Sequence, residues 1–339
     1  MMERIERRTQ EIMAAARQAL QAARPLRMYL RLEPEVERLG YVAKPFDMPA
    51  DVVPVDDPQA PADLALFTQH GLDVGPAIWK WRLGHPGGLV LLWLWDNHLG
   101  QLHNLHSALA ADIVFPSHAY VCSYLRNPLS ILGPHLPACC AQWRGGWREP
   151  ARRSDRLMAH YVDYPWAART SLLAQLAEAS DWADVRRLPP EDKHGYFGQT
   201  PEQRLQEWLD HKVSLVLPVD RDLSTRFFDA LYAGQVPLLA GDFPDLASVV
   251  SESEQERLGI VHVPEMTLAS VREGYARALA RFDEDGEGGI MERSSFVARE
   301  HSFERRLSKA LDTALNLVKG RHEIDFAVAP ASSGFKLNG

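Results

Sequence analysis

The stretch that most constrains the fold runs from Lys212 to Asp245, KVSLVLPVDRDLSTRFFDALYAGQVPLLAGDFPD. Val213 to Leu217 is an apolar run closed by a polar turn at Asp220 to Asp222, the pattern of a buried strand. Arg226 to Tyr232 follows with Phe227, Phe228 and Leu231 at helical spacing, and Ser224 or Thr225 can cap its start. Gly234 stops the helix, and Gln235 to Ala240 forms a second short apolar strand. Strand, polar loop, helix and strand in so few residues make a βαβ crossover, right-handed and joining parallel strands. Ligands of such sheets collect where strand ends meet helix starts. A helix that opens with Ser, Thr and Arg offers a phosphate free N–H groups, the positive end of the dipole and a cation.

The rest of the chain extends this pattern in both directions. Upstream, Leu26 to Leu32, Leu64 to Thr68, Leu89 to Trp95 and Ile113 to Pro116 read as strands. Ala77 to Leu83 and His106 to Ala111 read as short helices, and Pro49 to Pro61 as a long loop. Gly- and Arg-rich Trp143 to Asp155 reads as a linker. After it come strands at Leu157 to Val162 and Ala183 to Leu188, with helices at Ala167 to Ala179 and Pro201 to His211. Thr200 caps the second of these helices and Pro201 is its first residue. Beyond the crossover lie a strand at Gly259 to Val263, an amphipathic helix at Leu268 to Phe282 and an acidic Gly-rich turn at 283–289. Two closing helices occupy 290–318. The expected organisation is an N-terminal helix (1–25), one α/β domain (26–148), a second (149–318) and a tail (319–339).

Composition narrows the functional classes. A length of 339 residues suits two domains with full cores. A net charge of -8 with no compensating basic stripe argues against a nucleic-acid partner. The three cysteines, two of them adjacent at Cys139 and Cys140, form no disulfide framework and fit a reducing cytoplasm. The longest apolar run, Leu89 to Trp95, is too short to span a bilayer. The charged, Ala-rich helix at 2–23 packs on the surface or at an interface, or else associates with anionic lipid peripherally, although Glu3, Glu6 and Glu11 dilute its basic character.

The segment Asp222-Leu-Ser-Thr-Arg226-Phe-Phe-Asp229-Ala-Leu-Tyr-Ala-Gly234-Gln-Val-Pro237 resembles the donor-site segment of GT-B glycosyltransferases. His301-Ser-Phe-Glu304-x-Arg306-Leu is similar to the closing helix of their exostosin-like and spore-coat-type branches. The resemblance covers residues 151–315 and extends to the first half only in layout. It implies two Rossmann-like domains with parallel sheets facing a central cleft. It also implies a nucleotide-sugar donor as substrate, no separate cofactor, no metal, and a glycan, lipid-linked or protein acceptor. Asp229 stands where many members carry Glu, in the position that holds the donor ribose. Asp220-Arg-Asp222 matches a metal-binding Asp-x-Asp by letters only, because it precedes a phosphate-facing helix.

Several groups are candidates for the chemistry. Ser224, Thr225 and Arg226 suit a diphosphate leaving group, since a guanidinium is planar and always charged. An ordinary helix start with Arg226 paired to Asp222 or Asp229 is the structural alternative. Asp96 and His98, directly after the apolar run, can take the acceptor proton, or they form a simple turn with Asn97. His98, His103 and His106 are close in sequence, yet their spacing does not match a zinc site. His118, Tyr161 and Asp163 follow or end strands on the ligand side, and Arg153, with Arg152 and Arg156, either faces the cleft and adds charge compensation for the phosphates or is a solvated part of the linker. Ser302 either contacts the donor diphosphate, as the resemblance implies, or caps the last helix. A nucleotide-sugar epimerase and a non-catalytic nucleotide or sugar sensor remain alternatives on the same architecture.

Overall fold

The fold is described from a computed structural model. It covers residues 25–34, 46–70, 72–95, 101–118, 131–132, 153–164, 166–178, 181–189, 198–219 and 221–318, with isolated positions nearer the N-terminus. Of the expected N-terminal helix, Arg7, Gln10, Glu11, Ala14 and Gln18 are described, and all five are helical and exposed. Two compact units share the chain. One comprises 1–33, 48–137 and 307–339; the other comprises 34–47 and 138–306. Both are α/β, each built on one parallel sheet.

The first unit contains β1 (Leu26–Arg31), β2 (Val52–Val55), β3 (Leu64–Gln69), β4 (Leu89–Leu94), β5 (Ile113–Phe115) and β6 (Ile131–Leu132). Helices α1 (Gly75–Gly84) and α2 (Gln101–Ala110) connect β3 to β4 and β4 to β5. The sheet order is β2-β1-β3-β4-β5-β6. β3 and β4 are buried at every position, as continuous apolar runs in a parallel sheet must be. The expected loop at 49–61 instead holds β2, a four-residue edge strand. Pro54 hid it, but a proline is tolerated at a sheet edge where no further strand needs its missing N–H.

The second unit contains β7 (Leu157–Val162), β8 (Ala183–Leu188), β9 (Val213–Val216), β10 (Val236–Ala240) and β11 (Val261–Val263). Its helices begin with α3 (Ala167–Glu178), α4 (Pro201–Leu209) and α5 (Thr225–Tyr232). They continue with α6 (Leu246–Val249), α7 (Glu252–Leu258) and α8 (Leu268–Glu300); α9 (Phe303–Val318) follows, and from Leu307 on it belongs to the first unit. The order β11-β10-β9-β7-β8 is parallel throughout, so the crossover from β9 through α5 to β10 forms as expected. Thr200 caps α4 with a full capping box through Gln203, and Pro201 opens the helix.

Two further features depart from the expectations. The acidic turn at 283–289 contracts to a kink at Gly286 (φ 55°, ψ -145°), and helix runs on through it as α8. Short α6 and α7 fill the segment between β10 and β11. Ser251 and Glu254 form a capping box for α7, and left-handed Gly259 ends it, both of them sequence signals of a helix.

Candidate functional site

In the second unit the direction of sheet growth reverses between β7 and β9. The chain leaves β7 for β8 on one side and leaves β9 for β10 on the other. Such a switch point puts the connecting helices on opposite faces and opens a crevice at the carboxyl ends of the strands. Both α3, after β7, and α5, after β9, begin there.

Tyr161 ties the two strands together. The β7–β9 ladder pairs Met158 with Ser214, and beyond that point the tyrosine hydroxyl bridges the strands. It donates to Leu215 O at 2.6 Å and accepts from Leu217 N at 2.9 Å. Two guanidiniums lie against its ring, those of Arg226 and Arg169, each 4.4 Å from the centroid. Arg226 also packs 4.9 Å from the ring centroid of Trp208 on α4. Arg169 is buried and donates from Nη2 to Val162 O at 2.8 Å. Burial lowers the Arg169 pKa from the ordinary guanidinium value; Tyr161, Asp222 and Asp163 pull it back, while Arg226 adds to the fall.

The start of α5 is left without a side-chain cap. Ser224 occupies the N-cap with extended backbone, but its hydroxyl makes no capping bond. Ser224 Oγ is buried with no hydrogen-bond partner among the described residues. The first turn carries no acidic side chain. Its leading N–H groups and the positive end of the helix are therefore not neutralised from within the helix. Ser224, Thr225 and Arg226 are all partly exposed, whereas the preceding Asp222 and Leu223 are buried. Asp222 spends its carboxylate on the turn, accepting from Val219 N. Neighbouring Arg221 adopts a left-handed backbone (φ 68°) and reaches Asp242 at 2.7 Å.

The other expected residues fall in different places. Asp229 on α5 is 2% exposed, with Arg226 one turn back on α5 and Arg204 of α4 as its charge neighbours. Burial pushes its carboxyl up to about 8, against the pull of those two arginines. As folded, it offers a ribose no open oxygen, because the helix turns this position inward. Asp163 is engaged by Arg187 at 3.1 Å and Thr170 at 3.0 Å. Arg153 is a buried tie that donates to Ala233 O at 2.8 Å, not an open cleft cation. Ser302 accepts from Arg305 N at 3.4 Å and so caps α9.

In the first unit His118 is buried just past the carboxyl end of β5. Asp96 and His98 lie outside the described residues. His106, from the histidine group, is paired with Asp73. Asp73 is held below its ordinary value: burial raises it, but the bonds from His106, Gly75 and Ser107 outweigh that.

Sequence reasoning passed over Arg169 and Trp208. Arg169 was detectable, because it sits in the first turn of a helix after a strand, just as Arg226 does. Trp208 had no such signal; only the fold brings α4 to Arg226.

No family model matches the chain, and no curated protein matches it. Solved structures do. It is similar to the crystal structure of α,α-trehalose 6-phosphate synthase from Burkholderia multivorans, with 13% identity over 77% of this chain and 72% of that one, TM-score 0.47. It is similar to the E. coli trehalose-6-phosphate structure bound with UDP-2-fluoro glucose, with 12% identity over 75% and 74% of the two chains, TM-score 0.46. It is similar to sucrose-phosphate synthase from Thermosynechococcus elongatus, with 12% identity over 76% and 74%, TM-score 0.44. These are likenesses of layout, and the chemistry of this chain rests on its own residues.

Proposed function

We propose that the protein is a glycosyltransferase that moves a sugar from a nucleotide-sugar to an acceptor hydroxyl, with the donor diphosphate seated at the β7–β9 switch point. The observation that carries this reading is the uncapped N-terminus of α5, with Arg226 and Arg169 gathered on Tyr161 beside it. In sugar transfer the acceptor oxygen bonds to the anomeric carbon while the bond from that carbon to the diphosphate oxygen breaks. The bonding pair leaves on the diphosphate, so negative charge grows where the two guanidiniums and the leading N–H groups of α5 stand ready. Preorganised donors of this kind cost no reorientation at the moment of transfer. The acceptor proton passes to a base, for which Asp96 and His98 are the candidates on sequence grounds. The acceptor is a glycan, a lipid-linked sugar or a protein side chain.

The test is isothermal titration with UDP, GDP, ADP and CDP, followed by hydrolysis and transfer assays with the matching nucleotide-sugar. One nucleoside diphosphate is expected to bind. Arg226→Ala weakens that binding by about 1.5–3 kcal/mol, the range for a hydrogen bond to a charged group. Absence of binding by all four nucleotides removes the proposal. Binding without hydrolysis or transfer makes the protein a sensor instead.

A further inference from the structure

A cluster on the other side of β7 from the Tyr161 core belongs to none of this. His160 on β7, Asp184 on β8 and His211 just after α4 bring one ligand atom each within 4.8 Å of one another. Asp184 Oδ2 lies 3.2 Å from His160 Nε2 and 3.0 Å from His211 Nε2. Four-coordinate zinc with bonds near 2.0–2.1 Å sets its ligand atoms about 3.3 Å apart. The two carboxylate–imidazole separations already have that spacing, and the two imidazole nitrogens lie within 4.8 Å of each other.

The outer nitrogens decide what the inner ones can do. His211 Nδ1 faces the carbonyl oxygen of Glu207 at 3.1 Å, and a carbonyl only accepts, so Nδ1 carries the proton. His160 Nδ1 faces the Glu207 carboxylate at 2.5 Å and is protonated for the same reason. In the neutral rings both Nε2 lone pairs then point at one carboxylate oxygen, three acceptors with no donor among them. Either a proton is added, on a ring or on the carboxylate, or a cation sits between the three atoms. Carboxylate and backbone acceptors on the outer nitrogens are also what orient histidines that hold metals.

We propose that His160, Asp184 and His211 bind one divalent ion of the zinc class, through two imidazole Nε2 atoms and a carboxylate oxygen. Two nitrogens and one oxygen suit zinc-like ions and not magnesium or calcium, which take oxygen ligands. Both imidazoles are nine-tenths buried, while the Asp184 side chain is 36% exposed, so the site is reached from solvent through Asp184. The ion pins the end of α4 to β7 and to edge strand β8. Trp208, three residues before His211, supports Arg226, so the site steadies one wall of the switch point.

The test uses the full chain stripped of metal. Titration with Zn2+ is expected to give one equivalent per chain and a rise in melting temperature, since the ion binds only the folded site. Mg2+ and Ca2+ give neither. Co2+ in the same site gives the visible absorption of a four-coordinate ion. Asp184→Asn lowers Zn2+ affinity at least tenfold, and Glu207→Gln, which touches no metal, lowers it by about 10–100-fold. Exchange of His103 and His106 for Gln leaves the stoichiometry at one. Lack of a Zn2+ or Co2+ equivalent in the unaltered chain overturns the proposal, as does full affinity in Asp184→Asn. Nitrogen-15 shifts showing both rings doubly protonated and indifferent to Zn2+ overturn it too.

Discussion

At the scale of single residues, the second unit stores its charge in unusual company. Arg169 and Arg226 share one tyrosine ring, and Asp229 is buried next to Arg226 and Arg204. The Asp229 carboxyl, lifted to about 8 by burial, has a direct consequence for stability. Between its unfolded value near 4 and that folded value, the native chain holds a proton that the unfolded chain has lost, so stability falls as pH rises through the window. Asp229→Asn removes that slope. The variant is expected to gain in melting temperature relative to the parent from pH 5 to pH 8, as read by scanning calorimetry. An equal difference at both pH values would mean that the carboxylate is ionised in the fold, held by its arginines. Residue-level reasoning from sequence placed Asp229 and Arg226 on one face, since three positions apart on a helix are neighbours. It could not tell which way the face points, and the structure turns Asp229 inward.

At the scale of elements, the crossover depends on one backbone position. Gly234 ends α5 with φ 75°, and a Cβ there would stand 2.4 Å from Ile290 Cγ2. Arg293, wholly buried, donates to Gly234 O at 3.0 Å and to Leu258 O at 3.3 Å, so α8 clamps the ends of α5 and α7 together. Gly234→Ala is expected to cost about 2–5 kcal/mol, from left-handed strain plus the overlap with Ile290. Gly288, in α8 with nothing within 4 Å of its would-be Cβ, is the matched control. Gly288→Ala should stabilise by up to about 1 kcal/mol, as an exposed helical glycine does. Urea denaturation of the pair measures both. The sequence announced the stop at Gly234 because a glycine after a periodic run is a C-cap signal. It gave no sign of Ile290, fifty-odd positions later, which makes that glycine obligatory. The same asymmetry explains α8: the glycines at 286, 288 and 289 suggested a turn, but packing against β10 and β11 keeps the helix going past a single kink.

At the scale of the whole molecule, both units carry the same strand order, with the first strand next to the third and the second outside it. Each therefore has a switch point, but the second unit gathers arginines there. In the first unit buried Glu33 accepts from the backbone N–H groups of His70 and Leu72. An acid that has taken up its local donors gives an anion no welcome. Amide exchange with and without the bound nucleoside diphosphate should show this division. Added protection is expected at 161–169 and 217–229, with little at β1 and β3; protection centred on Glu33 and His70 instead would move the donor site to the first unit. Among the described residues no helix is long and apolar enough to cross a membrane. What the sequence determined alone was the alternation of strands and helices, because short continuous apolar runs and apolar residues at a period of 3.6 are local and need no partner to be read. Tertiary structure alone decided which helix starts share a crevice, which arginines stack on Tyr161 and which histidines converge on Asp184. Those juxtapositions depend on strand order and on the inward or outward turn of each face, which residues far apart in the chain settle jointly when they pack.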